Sequence, residues 1–249
     1  MKIKILMRDN ATQGKYGCKT LRNGVDEATI YIYDMIDAYW GVSATEFIAA
    51  LNSVSDAKVL HLRINSPGGD VFEGRAIVEA IKRFAGKTIA HVDSLAASAA
   101  SSIAIAADEV EIAAGAFLMI HNASGMVWGD KTDMRTTADL LEKVEGTIVT
   151  DYMAKTGKTA EEIVAWMNAE TWITGDEAVA NGFADRIATA PDGTSNKAWN
   201  LAAFDKAPKS LLEQPKQVDA KPANPQPPKQ EPTSATQTNS NALRLAMIA

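Results

Sequence analysis

Cysteine is almost absent. Cys18 is the single one in 249 residues, so no internal disulfide can form and a reducing compartment fits. Cys18 lies in the polar stretch KYGCKTLRNG with no histidine beside it, which argues against a thiol nucleophile. Histidine is scarce as well: His61, His91 and His121 lack the spacing of metal ligands, so no metal site is expected. The net charge is −6 with no basic block, which excludes nucleic acid as the main partner. No apolar run approaches a membrane span. The apolar part of MKIKILMRDN is too short and broken for a signal peptide. A soluble, cytoplasmic protein without a membrane partner is expected.

Proline and glycine are unevenly spread. Seven of the nine prolines fall from Asp205 onward, in a stretch rich in Gln, Lys, Ser and Thr that has no glycine and no aromatic residue. Such a stretch buries too little apolar surface to offset its ordering entropy. The expected organisation is a folded domain over 1–204 and a disordered tail over 205–249, ending in the more apolar NALRLAMIA. The tail carries six basic and four acidic residues, so the domain itself carries −8.

What is present is an alternation of strand and helix patterns. ATIYIYDMI (28–36), KVLHLRIN (58–65) and KTIAHVDS (87–94) are rich in β-branched and aromatic residues and read as strands. SATEFIAALNSV (43–54) opens with a capping box, Ser43 to Glu46. VFEGRAIVEAIKRF (71–84) has an apolar helical stripe, and SAASSIAIAA (98–107) reads as a buried helix of small residues. DEVEIAA and AFLMIH read as short strands. A long amphipathic helix is expected from about Lys131 to Lys155, stopped by Gly157. Two more capping boxes follow, Thr159 to Glu162 and Thr174 to Glu177. This alternation means an α/β fold.

Chemistry concentrates in a few places. In RINSPGGDVFEG (63–74) the pair Gly68-Gly69 either makes a plain strand-to-helix turn or lets the backbone approach a neighbour closely. Free N–H groups there would suit an oxyanion, and Asp70 can cap the following helix. In DSLAASAASS (93–102), Ser98 at a helix start is the candidate nucleophile, and Ala99 offers a second N–H. Ser94, Ser101 and Ser102 are rivals on composition. His121 ends an apolar strand and enters a glycine-containing loop, the placement that suits a general base; His61 and His91 sit inside strands, where a structural histidine is the simpler reading. A carboxylate should orient the base. Spacing does not choose among Asp108, Glu109, Asp151, Glu170, Asp176 and Asp185.

INSPGGDV, AASAAS, LMIHN and ETWITGDEAVANGFAD occur in one order over roughly residues 25–188. Together they resemble the proteolytic subunit of the Clp protease family, in particular its phage and prophage members, the head maturation proteases. The resemblance implies a ClpP/crotonase-like spiral of β-β-α units with a Ser-His-acid triad. Ser98 falls on the nucleophile, His121 on the base, and Gly69 and Ala99 on the oxyanion donors. Gly68 and Asn122 fall on substrate-binding positions. The acidic member falls on Glu170, where the cellular enzymes carry Asp, with Asp176 and Asp185 as fallbacks. Other departures are Ser94-Leu95 before Ala96 and Ala99-Ala100 after the serine. The N-terminal stretch does not resemble the axial-loop segment used beside an ATPase, so no unfoldase partner is expected. The resemblance further implies no cofactor, polypeptide substrates such as capsid or scaffold proteins, and a homo-oligomeric ring. The long helix near 131–155 falls where ring-stacking contacts would lie, although a helix that merely covers the core explains its pattern equally well. Two other functions share this frame: a crotonase-like acyl-CoA enzyme, and a catalytically weak ring serving as an assembly scaffold.

Overall fold

The computed structural model describes residues 18–189 and 199–212. They fall within one compact unit, Met1–Lys216, and the remaining unit, Gln217–Ala249, lies outside the described residues.

The apolar β-branched runs form the centre of one sheet. β1 (Cys18–Arg22) pairs antiparallel with β2 (Glu27–Ile32). β2, β3 (Val59–Ser66), β4 (Lys87–Ala97), β5 (Glu109–Ile112) and β8 (Arg186–Ile187) then run parallel, each to the next. The parallel strands are linked by helices, as parallel pairing requires: α1 (Ala44–Asn52), α2 (Val71–Lys82) and α3 (Ala99–Ile105). The α/β expectation holds. β1 was not legible because its burial is slight and it lies at the sheet edge, where no apolar pattern is needed.

β4 is the pivot of the molecule. Its first half pairs with β5 at Ile89–Val92, and its second half pairs with β6 (Phe117–Ile120) at Leu95–Ala97. A register shift against β3 between Ile64 and Ser66 marks the bend. β6 pairs antiparallel with β7 (Thr171–Thr174). Between them run α4 (Lys131–Thr156) and α5 (Ala160–Asn168), and α6 (Gly175–Ala180) follows β7. The capping boxes at Ser43, Thr159 and Thr174 all form, and α4 stops at Gly157 with φ 70°, the left-handed region that glycine enters without strain.

The main core lies between the sheet and the helices and contains Ile30, Phe47, Leu62, Ile77, Ile103 and Phe183. The opposite sheet face is polar. There His61 Nδ1 and His91 Nε2 lie 2.9 Å apart, and Asp93 binds both Arg63 and Tyr33. The two strand histidines are thus structural, as their placement suggested.

A second, smaller cluster joins Met35, Leu95, Ala97 and Met119 to Trp199, Leu201 and Phe204. Trp199 Nε1 donates to the buried Asn65 Oδ1 at 2.7 Å. The chain then continues in contact through Asp205 and Lys206 to a short helix, α7 (Lys209–Leu212). The folded chain therefore passes the boundary expected at residue 204. Leu211 packs against this second cluster, and the local excess of polar residues hid that anchoring. The rest of the expected tail, 213–249, lies outside the described residues. No helix among the described residues is long and apolar enough to cross a membrane.

Candidate active site

The topology brings three chain positions to one end of the sheet. Ser98 follows the last residue of β4, and His121 follows the last residue of β6. These strands are parallel neighbours, with Ala97 opposite Met119. Glu170 precedes β7, whose first residue pairs with Ile120. All three therefore lie at the carboxyl end of the parallel strands, where α/β folds place ligands.

Ser98 stands at a sharp strand-to-helix corner, with φ 54° and ψ −124°. That conformation is costly for a residue with a side chain and persists only where the surroundings fix it. Here the Ser98 N–H donates to Met119 O at 2.9 Å, and Ser98 O accepts from Ser101 N at 2.9 Å and Ser101 Oγ at 2.6 Å. Ser101 and Ser102 are buried and bond to the Tyr152 hydroxyl, at 2.7 and 3.4 Å. These rivals support the corner and have no free hydroxyl to offer.

The Ser98 side chain does not cap α3. Its Oγ lies 2.8 Å from His121 Nε2. With the proton on Nδ1, Nε2 accepts from the Ser98 O–H, the arrangement that lets imidazole take the proton. Burial pushes the His121 pKa below its ordinary value, and the nearby Glu170 charge opposes that shift. The imidazole is thus neutral, and able to accept a proton, at neutral pH.

The double glycine is explained by close approach rather than by a plain turn. A Cβ on Gly68, whose φ is +83°, would meet Ala97 O at 2.5 Å and Ser98 Cβ at 2.8 Å. A Cβ on Gly69 would meet Ile36 O at 2.1 Å. The Ile36 bridge uses Gly68 O and the Asp70 N–H, leaving the Gly69 N–H outside that ladder. The Ala99 N–H is the first of α3 and by position has no intrahelical acceptor. The Gly68 N–H donates to Ser66 Oγ and its carbonyl accepts from the Ile36 N–H. Asn122 lines the cleft and donates to Asn168 Oδ1 at 2.7 Å.

Glu170 is the acidic candidate whose charge acts on His121. Among the described residues, however, no hydrogen bond joins the two. Glu170 sits in the left-handed region with φ 49°. Its Oε1 accepts from Lys206 N at 2.7 Å and Trp172 Nε1 at 3.2 Å, and its Oε2 accepts from Asp205 N at 3.0 Å. The other carboxylates are engaged elsewhere or exposed. Asp151 pairs with Arg75 and Lys82, and Glu109 with Lys87 and Arg186. Asp108 accepts from Thr88, and Asp185 from Val110 N and Lys155. Asp176 is exposed in the first turn of α6. Cys18 offers no thiolate, because burial pushes its pKa up to about 12.

A cleft of about 340 Å³ opens beside Ser98 and His121. Its wall is largely apolar, with Val71, Phe72, Met126, Leu141, Val144 and Ile148. Phe204 also lines it, and its ring meets the His121 ring edge-on at 5.5 Å. Sequence reasoning missed Phe204 because no motif surrounds it and it stands beside the Pro/Gln-rich stretch.

Comparison with known proteins gives this arrangement its context. The family model described as Clp protease matches residues 13–191. The ATP-dependent Clp protease proteolytic subunit 1 of Protochlamydia amoebophila is 31% identical over 170 residues, covering 66% of this chain and 81% of that protein. The subunit 1 of Chlamydia abortus is 28% identical over 185 residues, covering 73% of this chain and 96% of its own. A ClpP1 point mutant from Listeria monocytogenes has the same fold, with a TM-score of 0.59 at 23% identity over 66% of this chain and 93% of that one. The chain belongs to the Clp protease family, whose members are serine peptidases that act on polypeptides and form oligomeric rings.

Proposed function

We propose that this chain is a serine endopeptidase in which Ser98 is the nucleophile and His121 the general base. The observation that carries the reading is the 2.8 Å contact between Ser98 Oγ and His121 Nε2, made by a serine held at a strained corner. In the reaction His121 takes the Ser98 proton as Oγ attacks the peptide carbonyl. The carbonyl oxygen becomes an oxyanion, stabilised by the Gly69 and Ala99 N–H groups. The tetrahedral intermediate collapses, and the amine leaves with the proton carried by His121. Water, deprotonated by the same imidazole, then releases the acyl group from Ser98. The Glu170 charge favours the imidazolium that forms in each half-reaction. The apolar cleft suits an apolar side chain next to the cut bond.

The substrate class we assign is capsid or scaffold protein during phage head maturation, with the chain acting as a homo-oligomeric ring. The motif resemblance to the phage members supports this. Residues 213–249 would then bind the substrate or be removed during maturation. Purified ring is mixed with phage head proteins, and new termini are mapped by mass spectrometry against a Ser98→Ala control. New termini that need Ser98 support the reading. If casein is cut but head proteins are not, the peptidase stands and the head-maturation role falls.

One observation favours a second reading, a catalytically weak ring acting as an assembly scaffold: the Glu170 carboxylate is bonded to the 205–206 backbone and not to His121. Head assembly that proceeds normally with Ser98→Ala would favour it.

A further inference from the structure

The segment from Trp199 to Leu212 begins beyond residue 191, where the family match ends, yet it reaches the site. Trp199 and Leu201 anchor it in the second apolar cluster beside Leu95, Ala97 and Met119, under the strands that carry Ser98 and His121. Phe204 follows and is 9% exposed. Its ring meets His121 edge-on, with centroids 5.5 Å apart and planes at 72°, and meets Trp172 in the same way at 5.7 Å and 81°. The next two residues close the strap. The Asp205 and Lys206 N–H groups donate to the Glu170 carboxylate, and Lys206 Nζ donates to Ala169 O.

In a Ser-His-acid site a carboxylate bonded to Nδ1 holds the imidazole in place. That bond is not made here. Among the described residues, the ring is held by the Ser98 hydroxyl at Nε2 and by edge-on packing with Phe204. Aromatic edge contacts of this kind have a preferred geometry and resist rotation of either ring. We propose that Phe204 is a positioning residue that orients His121 toward Ser98, delivered by a C-terminal strap that Glu170 clamps in place. Glu170 then has two tasks: its charge acts on the imidazole, and its oxygens hold the strap. The inference rests on the reading of Ser98 and His121 as nucleophile and base.

Burial is part of the same arrangement. It lowers the His121 pKa against the opposing Glu170 charge. The charge that acts on the ring is that of Glu170; Asp205 and Lys206 flank it on the strap, and Asp37, Asp70 and Arg75 line the same cleft. Removing the Phe204 ring admits water and lets His121 return toward the ordinary value of about 6.5.

The test is the rate at which a fluorophosphonate labels Ser98 in the full chain, measured from pH 5 to 8. Phe204→Ala, Phe204→Leu and Lys206→Pro are compared with wild type. Lys206→Pro removes the N–H donated to Glu170 and the Nζ contact with Ala169 O, and leaves the Phe204 ring. With Phe204→Ala the rate is expected to fall about ten- to a hundredfold, since small displacements of a base are costly. The midpoint of the acid limb should rise. Phe204→Leu keeps bulk but loses the ring edge, so it should recover only part of the rate and stay severalfold below wild type, and Lys206→Pro should shift both quantities in the same direction as Phe204→Ala. A purely structural role would lower only the fraction of protein that labels. That result, a rate within about twofold of wild type, or faster labelling would each overturn the inference. If Phe204→Ala fails to fold, Phe204→Leu and Lys206→Pro decide by the same two quantities. A wild type that does not label at all removes the underlying reading of the site instead.

Discussion

Ser98 holds φ 54° and ψ −124° because its backbone is bonded on both sides, to Met119 and to Ser101. The strain leaves Oγ with one partner, His121. The His121 pKa is lowered by burial, so the sign of the pH dependence follows. The base is active when neutral, above its folded pKa, and is lost as pH falls through that lowered value. The acid limb of kcat/KM should therefore lie below the ordinary histidine value of about 6.5. A peptidase assay from pH 5 to 8 checks this, and a midpoint at or above that value would contradict it. Glu170 acts through its charge without a hydrogen bond to His121. Glu170→Gln should accordingly cost about ten- to a hundredfold in kcat/KM, less than the roughly 10⁴-fold loss when a triad carboxylate is neutralised. Steady-state kinetics of the variant give the number. At this scale the sequence offered Ser98 as a serine at the start of a small-residue helix, chosen over Ser94, Ser101 and Ser102 only by the resemblance, and His121 as the end of an apolar strand. The hold on Glu170 was not legible, since its partners Asp205 and Lys206 are 35 and 36 residues away in sequence and donate backbone N–H groups that any residue but proline has.

Among the elements, the corner between β4 and α3 depends on the β3–α2 corner beside it. Gly68 lies against Ala97–Ala99, and a Cβ on Gly74 would come within 3.1 Å of Ala99 Cβ. The two corners fit only while these positions stay small. Gly68→Ala adds a Cβ 2.5 Å from Ala97 O at a φ of +83°. Such strain costs about 1–3 kcal/mol, and relief would have to move the Ser98 corner. A lower midpoint in urea together with loss of labelling at Ser98 is the expected result; unchanged activity would mean that the glycine serves only the turn. The parallel strands and capped helices were legible because periodicity and caps are local signals. β7 and β8 are short, at four and two residues, and their pairing partners are distant, so no local pattern announces them.

For the whole molecule, the exposed apolar residues matter most. Trp128 is 99% exposed and Met126 65%, and they lead into α4, where Met134 and Leu140 are about half exposed. A run of large apolar side chains facing water usually marks an interface. Rings are the rule in this family, and the resemblance puts stacking contacts on the helix near 131–155, which these residues lead into. Trp128→Asp should shift the assembled species to a smaller one in sedimentation velocity while leaving the helix content unchanged. An unaltered assembly would place the ring contacts elsewhere. The boundary of the folded unit was the least legible feature at this scale. Composition marks where apolar residues thin out, but Trp199, Leu201 and Phe204 sit just before that change, and Leu211 shows that packing continues past it.

The most direct test of the central claim is the intact mass of the assembled protein after incubation with a fluorophosphonate, with Ser98→Ala alongside. A reactive serine at position 98 gives one adduct in the wild type and none in the variant. No adduct in assembled wild type, or an adduct that persists in Ser98→Ala, would contradict Ser98 as the nucleophile.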